Sequence, residues 1–408
     1  MEHKADTILF CAPENDVSVE DGISQGALSV LALVQACMRS KYQVRIMYIY
    51  HDDDSRVACL QTMLGGFARC LVYENPALEL FTIGLDGLAA KFATKYIVQE
   101  VNAYMHPPLR EIVYRNGARL VRAVRQYTPP SSPAALKGKA ILITGGAGGL
   151  GSLFAHHFAS RTGATLILVG RSPPGEKTES ICAQLKEAGG SGIYLQGDVS
   201  DSGDCERMFA ELDRQGIVLD GILHCAGQID DGYIFKKEEK RFLSVLRPKV
   251  NGLVNLDDCS RKHPLSFFVA FSSVAALMPN QGQSDYATGN SFADAFAVWR
   301  NHRTKKGERS GKFIAINWPL WAEGGMGVSE EEEKHLRSAF GMDPMSNEQG
   351  LHAFDLLVGG GADSPDTCLS IAGDREKIDR ALVVWEQAEE SCTETALESL
   401  IWSLLGIE

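Results

Sequence analysis

Positions 140–151 constrain this chain more than any other stretch: they read AILITGGAGGLG, a short apolar strand running directly into a turn made largely of glycine. Glycine admits positive φ and lets a backbone come close to a pyrophosphate, and the N–H groups that open the following helix point at such an anion. Thr144-Gly145, Gly149 and Gly151 give a TGxxxGxG spacing between the strand Ile141-Leu142-Ile143 and a helical pattern over residues 153–159. Gly145, Gly146, Gly148 and Gly149 each cost backbone entropy without adding to a core, so a mere packing turn does not explain them. The stretch predicts a dinucleotide cradle, with Thr144, Gly145, Gly146, Ala147, Gly148, Gly149 and Leu150 against the ligand.

Length and composition set the frame. The 408 residues suffice for two or three units, and 45% hydrophobic with 23% charged residues describe an ordinary globular chain with material for a large core. With 40 basic against 52 acidic residues, the formal charge of −12 argues against a general attraction to nucleic acid or to an anionic membrane. The ten cysteines are scattered singly, without a CxxC pair or a His/Cys cluster at metal-ligand spacing. That pattern predicts reduced thiols, no metal site and a cytoplasmic setting. The start, MEHKADTILF, has no apolar h-region, and no run approaches the roughly 18 apolar residues of a membrane span. Neither signal peptide nor membrane anchor is expected.

Residues 7–127 alternate strand-like runs (TILFCA, QVRIMYIY, ARCLVYE) with helical ones over 27–39 and 88–105. No glycine fingerprint occurs there, since Met63-Leu64-Gly65-Gly66-Phe67 is only a glycine pair among bulky apolar residues. Residues 111–126 carry Asn116-Gly117 between alternating side chains, a strong hairpin signal. Arg115, Arg119, Arg122 and Arg125 of that stretch read as solvation more readily than as a docking surface. TPPSSPAALKG, residues 128–138, reads as a linker. Beyond it, strands are predicted at 140–144, 165–169, 192–195, 219–224, 266–271, 313–316 and 367–371, with helices between them. The expected fold class is α/β: a doubly wound parallel seven-stranded sheet preceded by a smaller Rossmann-like unit. The expected units are 1–137, 138–388 and 389–408. The last is a short amphipathic stretch, with Leu397, Leu400, Ile401 and Leu404 on one face, read as a linker or the start of a further domain.

The second strand of the series ends LVGRS, which places Arg171 where an acidic residue would select NAD. A guanidinium there, with the Ser172 hydroxyl, suits a 2′-phosphate, so the expected cofactor is NADPH. Asp198, in Gly197-Asp198-Val199, can accept from an adenine amino group, with Val199 beside it. Ala226 and Gly227 leave room for a flat ring. His224 and Cys225 have no visible partner and read as a core histidine and a buried thiol.

The strongest constellation is Ser273 with Tyr286 and Asn290, and Lys249 upstream in LRPKVNG. Reduction of a ketone requires a hydride and a proton. A phenol donates the proton when a neighbouring cation lowers its pKa, which makes Tyr286 the acid and Lys249 the cation. Ser273 can polarise the carbonyl oxygen. Asn290, four residues after Tyr286, shares its helix face and can position Lys249 or a relay water. Lys249 can also bind ribose hydroxyls.

With these residues in view, the 138–388 segment resembles the ketoreductase domain of a modular polyketide synthase, within the short-chain dehydrogenase/reductase superfamily. In most of that superfamily the catalytic lysine follows the tyrosine by four, whereas here Asn290 holds that place and Lys249 lies earlier, as in polyketide ketoreductases. TGGAGGLG, HCAG, PKVNG, the Ser-Tyr-Asn set and NWPLWAEGGM (317–326) appear in the family's order. The first unit then resembles the family's structural subdomain, a truncated Rossmann-like fold without a cofactor site. NWPLWAEGGM is similar to ketoreductases of synthases that lack their own acyltransferases. The resemblance implies NADPH-dependent reduction of a β-ketoacyl thioester carried on the phosphopantetheine of an acyl carrier protein, among neighbouring synthase domains. Ile229-Asp230-Asp231 stands where B-type members have LDD, and Met278 where A-type members have Trp. This implies a D-configured hydroxyl, with Asp231, Met278, Gln283, Trp321, Gly324, Gly325 and Met326 near the substrate. Thr288 is not the proline of the epimerising subtype. Residues 329–340, hinged at Gly324-Gly325, would form a lid. Two other readings stand beside this one. A free-standing reductase of small ketones would want lysine at Asn290, and a redox-silent module would be expected to lose Tyr286, Asn290 or the glycine turn.

Overall fold

The computed structural model describes residues 6–13, 17–40, 43–87, 89–102, 110–130, 140–278, 280–323, 333–334 and 336–383. Two α/β units are present, both Rossmann-like, the first smaller than the second. The first contains β1 (Asp6–Cys11), α1 (Ser29–Ser40), β2 (Val44–His51), α2 (Arg56–Thr62), α3 (Leu64–Glu74), β3 (Leu78–Leu85), α4 (Ala93–Asn102), β4 (Glu111–Arg115) and β5 (Ala118–Val121). Its five strands lie in the order β1-β2-β3-β4-β5, parallel except for the β4–β5 hairpin. Asn116 (φ 52°) and Gly117 (φ 79°) make the hairpin turn, both in the left-handed region that the Asn-Gly pair tolerates. β2 is apolar on both faces: Ile46 and Tyr48 enter one core with α1 and α3, and Met47 and Ile49 enter another with α4.

ARCLVYE, expected as a strand, is helical and forms most of α3. Leu64, Phe67, Ala68 and Leu71 are buried at helical spacing, and this stripe, not the β-branched content of the run, decides the conformation. The strand of that region is instead β3. The helix expected over 88–105 is present as α4, preceded by a 3-10 turn at Ala89–Phe92, with residues 88 and 103–105 outside the described residues.

The second unit continues with β6 (Ala140–Thr144), α5 (Gly149–Thr162), β7 (Thr165–Gly170), α6 (Glu176–Glu187), β8 (Ser191–Gln196), α7 (Ser202–Arg214), β9 (Gly221–His224), α8 (Glu239–Cys259), β10 (Phe267–Ser273), α9 (Ser284–Lys305), β11 (Lys312–Trp318), α10 (Asn347–Gly359) and β12 (Thr367–Leu369). All seven strands are parallel, in the order β12-β11-β10-β9-β6-β7-β8. The reversal at β6 and β9 is a topological switch point, where doubly wound sheets open a crevice for ligand. Ile141 and Ile143 face α5, α6 and α10, while Leu142 faces the side of α7, α8 and α9.

The two units share one apolar core through α3 and α9, and Phe67 meets Phe242 with ring centroids 6.1 Å apart. Gly65-Gly66 has its explanation here. A Cβ on Gly66 would lie 2.4 Å from the Ala287 carbonyl oxygen and 2.6 Å from Ser291 Oγ, so only a bare backbone lets the helices approach this closely. Three of the four arginines of residues 111–126, for which solvation was favoured and no role assigned, pair with carboxylates, Arg115 while still more than half exposed. Arg115 pairs with Asp52, Arg119 with Glu100, and Arg122 with both Glu111 (3.2 Å) and Asp294 (3.5 Å). Arg122 therefore links the first unit to α9. Gly66→Val should destabilise the chain by about 1–3 kcal/mol through overpacking. Urea denaturation checks this, and an unchanged midpoint would refute the close packing of α3 on α9.

Candidate active site

The carboxyl ends of β6, β7 and β9 surround a cleft of about 560 Å³. Gly145, Ala147, Gly148, Gly149, Leu150 and Gly151 form one wall, and Arg171, Ser172, Cys225, Ala226 and Gly227 contribute to the rest. Gly145 sits at φ 65°, which an L side chain resists, and a Cβ on Gly151 would lie 2.2 Å from the Gly145 carbonyl oxygen. Removal of either glycine would open the turn. No side chain caps the N-terminus of α5, so the helix presents its first backbone N–H groups to the cleft. This donor set, narrow and positive, fits the pyrophosphate of a dinucleotide.

Arg171 stands exposed at the rim, its Nη2 3.4 Å from Gln228 Oε1. Gln196 Nε2 donates to the Arg171 carbonyl at 3.1 Å and Tyr194 donates to the Ser172 carbonyl at 2.7 Å, so this corner is held by its backbone while the guanidinium stays outside. Lys177 also lines the cleft, a second cation that no motif marked. Asp198 departs from expectation. It is absent from the cleft lining, and its Oδ1 accepts from Ser200 N (2.9 Å) and Ser200 Oγ (2.5 Å), a local turn that leads into α7. Val199 is buried, with its carbonyl accepting from Asn255 Nδ2 at 2.9 Å.

Thr144 and Gly146 lie behind the wall. Thr144 Oγ1 accepts from Ala226 N–H (3.1 Å) and lies 2.8 Å from His224 Nδ1, while His224 Nε2 lies 2.9 Å from the Pro248 carbonyl. A carbonyl only accepts, so Nε2 carries the proton and Nδ1 accepts from Thr144. Burial, aided by the charge of Lys249, pulls the His224 pKa down to about 3, and the ring is neutral. His224 is thus a satisfied core histidine that fastens β9 to α8 beside Lys249.

Ser273 ends β10 and caps the short turn that follows, its Oγ accepting from Ala275 N at 3.2 Å. Tyr286 and Asn290 lie on the first turns of α9. Burial raises the Tyr286 pKa, the neighbouring Ser273 and Asn290 side chains offset part of the rise, and the charge of Asp231 adds to it. Ser273, Tyr286 and Asn290 therefore come together. Lys249 is buried on α8 and donates to the Phe271 carbonyl, with Gly227 leaving space for its ammonium end. Burial lowers its pKa to about 8, against the opposing influence of Cys225 and Asp294. Two sequence expectations shift accordingly. The phenol's pKa is raised where a fall was expected, because desolvation dominates and the cation's bond is to Phe271. Asn290 Nδ2 donates to the Tyr286 carbonyl at 2.9 Å, a bond within the helix, and not to Lys249's surroundings. Its Oδ1 is buried without a partner, an acceptor turned toward no donor among the described residues.

Of the residues expected near substrate, Gln283 donates to Asp231 Oδ2 at 3.3 Å. Met278 is buried with Leu277 and Met342, closing a small apolar cluster. Trp321 belongs to the core: it packs edge-on against Phe154 and Trp318, where a place beside the substrate was expected. Burying the indole against these rings removes a large apolar area from water, which outweighs its motif position. Gly324, Gly325 and Met326 lie outside the described residues, as do residues 329–332 and 335 of the expected lid, of which Leu336–Phe340 is a helical turn.

Comparison with known proteins places this geometry. Residues 139–323 match the family model described as KR domain, and residues 12–102 match one described as Beta-ketoacyl synthase-like, N-terminal. Polyketide synthase PksN of Bacillus subtilis (strain 168) is 38% identical over 91% of this chain, and polyketide synthase PksL of the same organism 36% over 71%. The chain spans only 7% and 6% of those two synthases. A ketoreductase domain from the bacillaene assembly line superposes with a TM-score of 0.79 at 30% identity, covering 94% of this chain and 96% of that one. An N-terminal ketoreductase from the macrolactin assembly line gives 0.76 at 29%, covering 92% and 75%. With that agreement over nearly its whole length, the chain belongs to the ketoreductase domains of polyketide synthases, short-chain dehydrogenase/reductase-type oxidoreductases that reduce ketoacyl groups with a nicotinamide cofactor.

Proposed function

We propose that this chain reduces a β-ketoacyl thioester, presented on the phosphopantetheine of an acyl carrier protein, to the D-configured β-hydroxyacyl thioester with NADPH. The observation that carries the reading is the convergence of Ser273, Tyr286 and Asn290, together with Lys249 buried beside Gly227 of the glycine-walled cleft and beside Gly289 of α9. Gly145 to Leu150 and the α5 N-terminus would hold the pyrophosphate, Arg171 and Ser172 the 2′-phosphate, and Lys249 the nicotinamide ribose. Bound there, the cofactor supplies the hydride.

This chain's residues supply the rest. Burial holds the Tyr286 phenol above its ordinary pKa, so the group stays protonated at neutral pH and serves as an acid. Its proton goes to the substrate oxygen as negative charge develops there. Ser273 donates a second hydrogen bond to the same oxygen, which stabilises that charge. The unpartnered Asn290 Oδ1 suits a relay water that returns the proton to Tyr286. Asp231 and Gln283, bonded to each other, form the wall that favours the D product, in keeping with the B-type resemblance. We divide the chain for function into 1–137 as scaffold, 138–388 as catalytic unit and 389–408 as a linker or the start of a further domain. The described cysteines are all unpaired, which supports a reducing, cytoplasmic setting.

NADPH oxidation with a β-ketoacyl thioester tests the reading. Tyr286→Phe should lower the rate at least about 10²-fold with NADPH still bound. No oxidation by the wild type, with NADPH bound, would favour a redox-silent module, and faster turnover of free ketones than of thioesters a free-standing reductase. Arg171→Ala should reduce the preference for NADPH over NADH about tenfold or more, as expected from loss of a charge-assisted phosphate contact. An unchanged preference would remove Arg171 from the phosphate site. The Lys249 ammonium is lost as pH rises through about 8, so kcat/KM should be flat below that value and fall with unit slope above it. Lys249→Met should be slow and should lack that bend.

A further inference from the structure

The loop that leaves β9 carries Asp230 and Asp231 and returns toward α8 at Lys237. Lys237 is the most deeply enclosed of its partners: its side chain is 0% exposed and that of Asp285 1%. The Lys237 ammonium donates to the Asp230 carbonyl at 2.5 Å and to Asp285 Oδ2 at 2.7 Å. Asp285 Oδ1 accepts from the Tyr286 N–H at 2.9 Å. A single carboxylate therefore ties the backbone of the Asp230-Asp231 loop to the backbone of the residue that bears the phenol.

The first unit grips the same two segments. Glu74, at the end of α3, accepts from Ile234 N–H at 2.6 Å and from Gly282 N–H at 2.9 Å. Gln35 on α1 donates to the carbonyls of Ile234 and Lys237, both at 2.8 Å. The loop and the turn before α9 also bond directly, from Gly232 N–H to the Gly282 carbonyl at 2.9 Å. The outward side is different: Ile229, Tyr233 and Phe235 are 38%, 57% and 51% exposed. The segment is hydrogen-bonded within and carries these three apolar side chains beside the exposed Asp231 on its outer side, the form of a wall against which a chain-like substrate can lie.

A buried ion pair is a weak stabiliser, since apolar residues of like volume do as well or better. What it provides here is registration of one backbone segment against another. We propose that Lys237, acting through Asp285 and supported by Glu74, is a positioning residue that fixes Asp231 relative to the Tyr286 phenol and so sets which face of the ketone is reduced. The proposal rests on the reductase reading above. It gives the first unit a direct part in stereocontrol, since Glu74 and Gln35 belong to it.

The test uses the whole chain with NADPH and a β-ketoacyl thioester, and resolves the product by chiral chromatography. Lys237→Met leaves Asp285 buried and unpaired, so it is paired with Lys237→Met/Asp285→Asn, which removes both charges and keeps the acceptor for Tyr286 N–H. Glu74→Gln, which cannot accept from both amides, is the third variant. In the folded double variant and in Glu74→Gln the enantiomer ratio should fall about tenfold or more. NADPH affinity, read by fluorescence, should stay within about twofold because the cleft is untouched. A merely structural role would lower the melting temperature and leave the ratio alone, and that result overturns the proposal. Absence of thioester reduction by the wild type overturns the reductase reading and this proposal together, whereas a wild-type L product overturns only the assignment of the preferred face.

Discussion

The helix from Ser284 to Lys305 is enclosed by both units, and most of what the molecule can do depends on that enclosure. Fourteen of its residues are buried, from Ser284 and Asp285 through Phe292 and Phe296 to Arg300 and Asn301. Such a helix has no single solvent face and no single apolar stripe. One side lies on the seven-stranded sheet, and another receives α3 through the bare backbone at Gly66. The Tyr286 phenol is held in place because the helix beneath it has nowhere to move.

Polar residues complete this clamp where apolar packing alone would leave register undetermined. Asp294 accepts from Ser272 Oγ at 2.9 Å and from Asn317 Nδ2 at 3.1 Å, and pairs with Arg122 from the first unit. Arg122 in turn pairs with Glu111, which also meets Arg69, and Arg69 donates to the Ala276 carbonyl and to Ser291 Oγ. The two arginines and two carboxylates balance in charge, which reduces the cost of burying any one of them. This network reaches the Ser272 hydroxyl and the Ala276 carbonyl, on either side of Ser273. The Thr144–His224–Pro248 chain does the same for Lys249, through neutral groups. The smaller unit thus braces the elements that carry the proposed site.

How far the residues alone foretell this depends on the range of the interaction concerned. The glycine turn, the strands of the larger sheet and the Asn116-Gly117 hairpin rest on local backbone energetics, and each is where its own residues require it. ARCLVYE failed because its character depends on which side chains the fold buries, and α9 closes on this helix at Gly66 and Arg69 from more than 200 residues away in the chain. Trp321 failed for a related reason: its place beside Phe154 is decided by the docking of α10, with Gly350 making room for the ring. Lys237, Asp285 and Glu74 carried no motif, since an isolated lysine or carboxylate looks the same whether it ends buried or in water.

The sequence by itself determined the glycine turn at the end of β6 and the doubly wound sheet, and it singled out Ser273, Tyr286, Asn290 and Lys249 as candidates, because these follow from φ preferences, apolar periodicity and the donor chemistry of a few side chains. The tertiary structure alone decided where each charge ends. It placed the Lys249 ammonium on the Phe271 carbonyl, left the Asn290 oxygen unpartnered and closed Lys237 onto Asp285. The physical reason is that desolvation and ion pairing depend on neighbours brought together from distant parts of the chain, which no local pattern encodes.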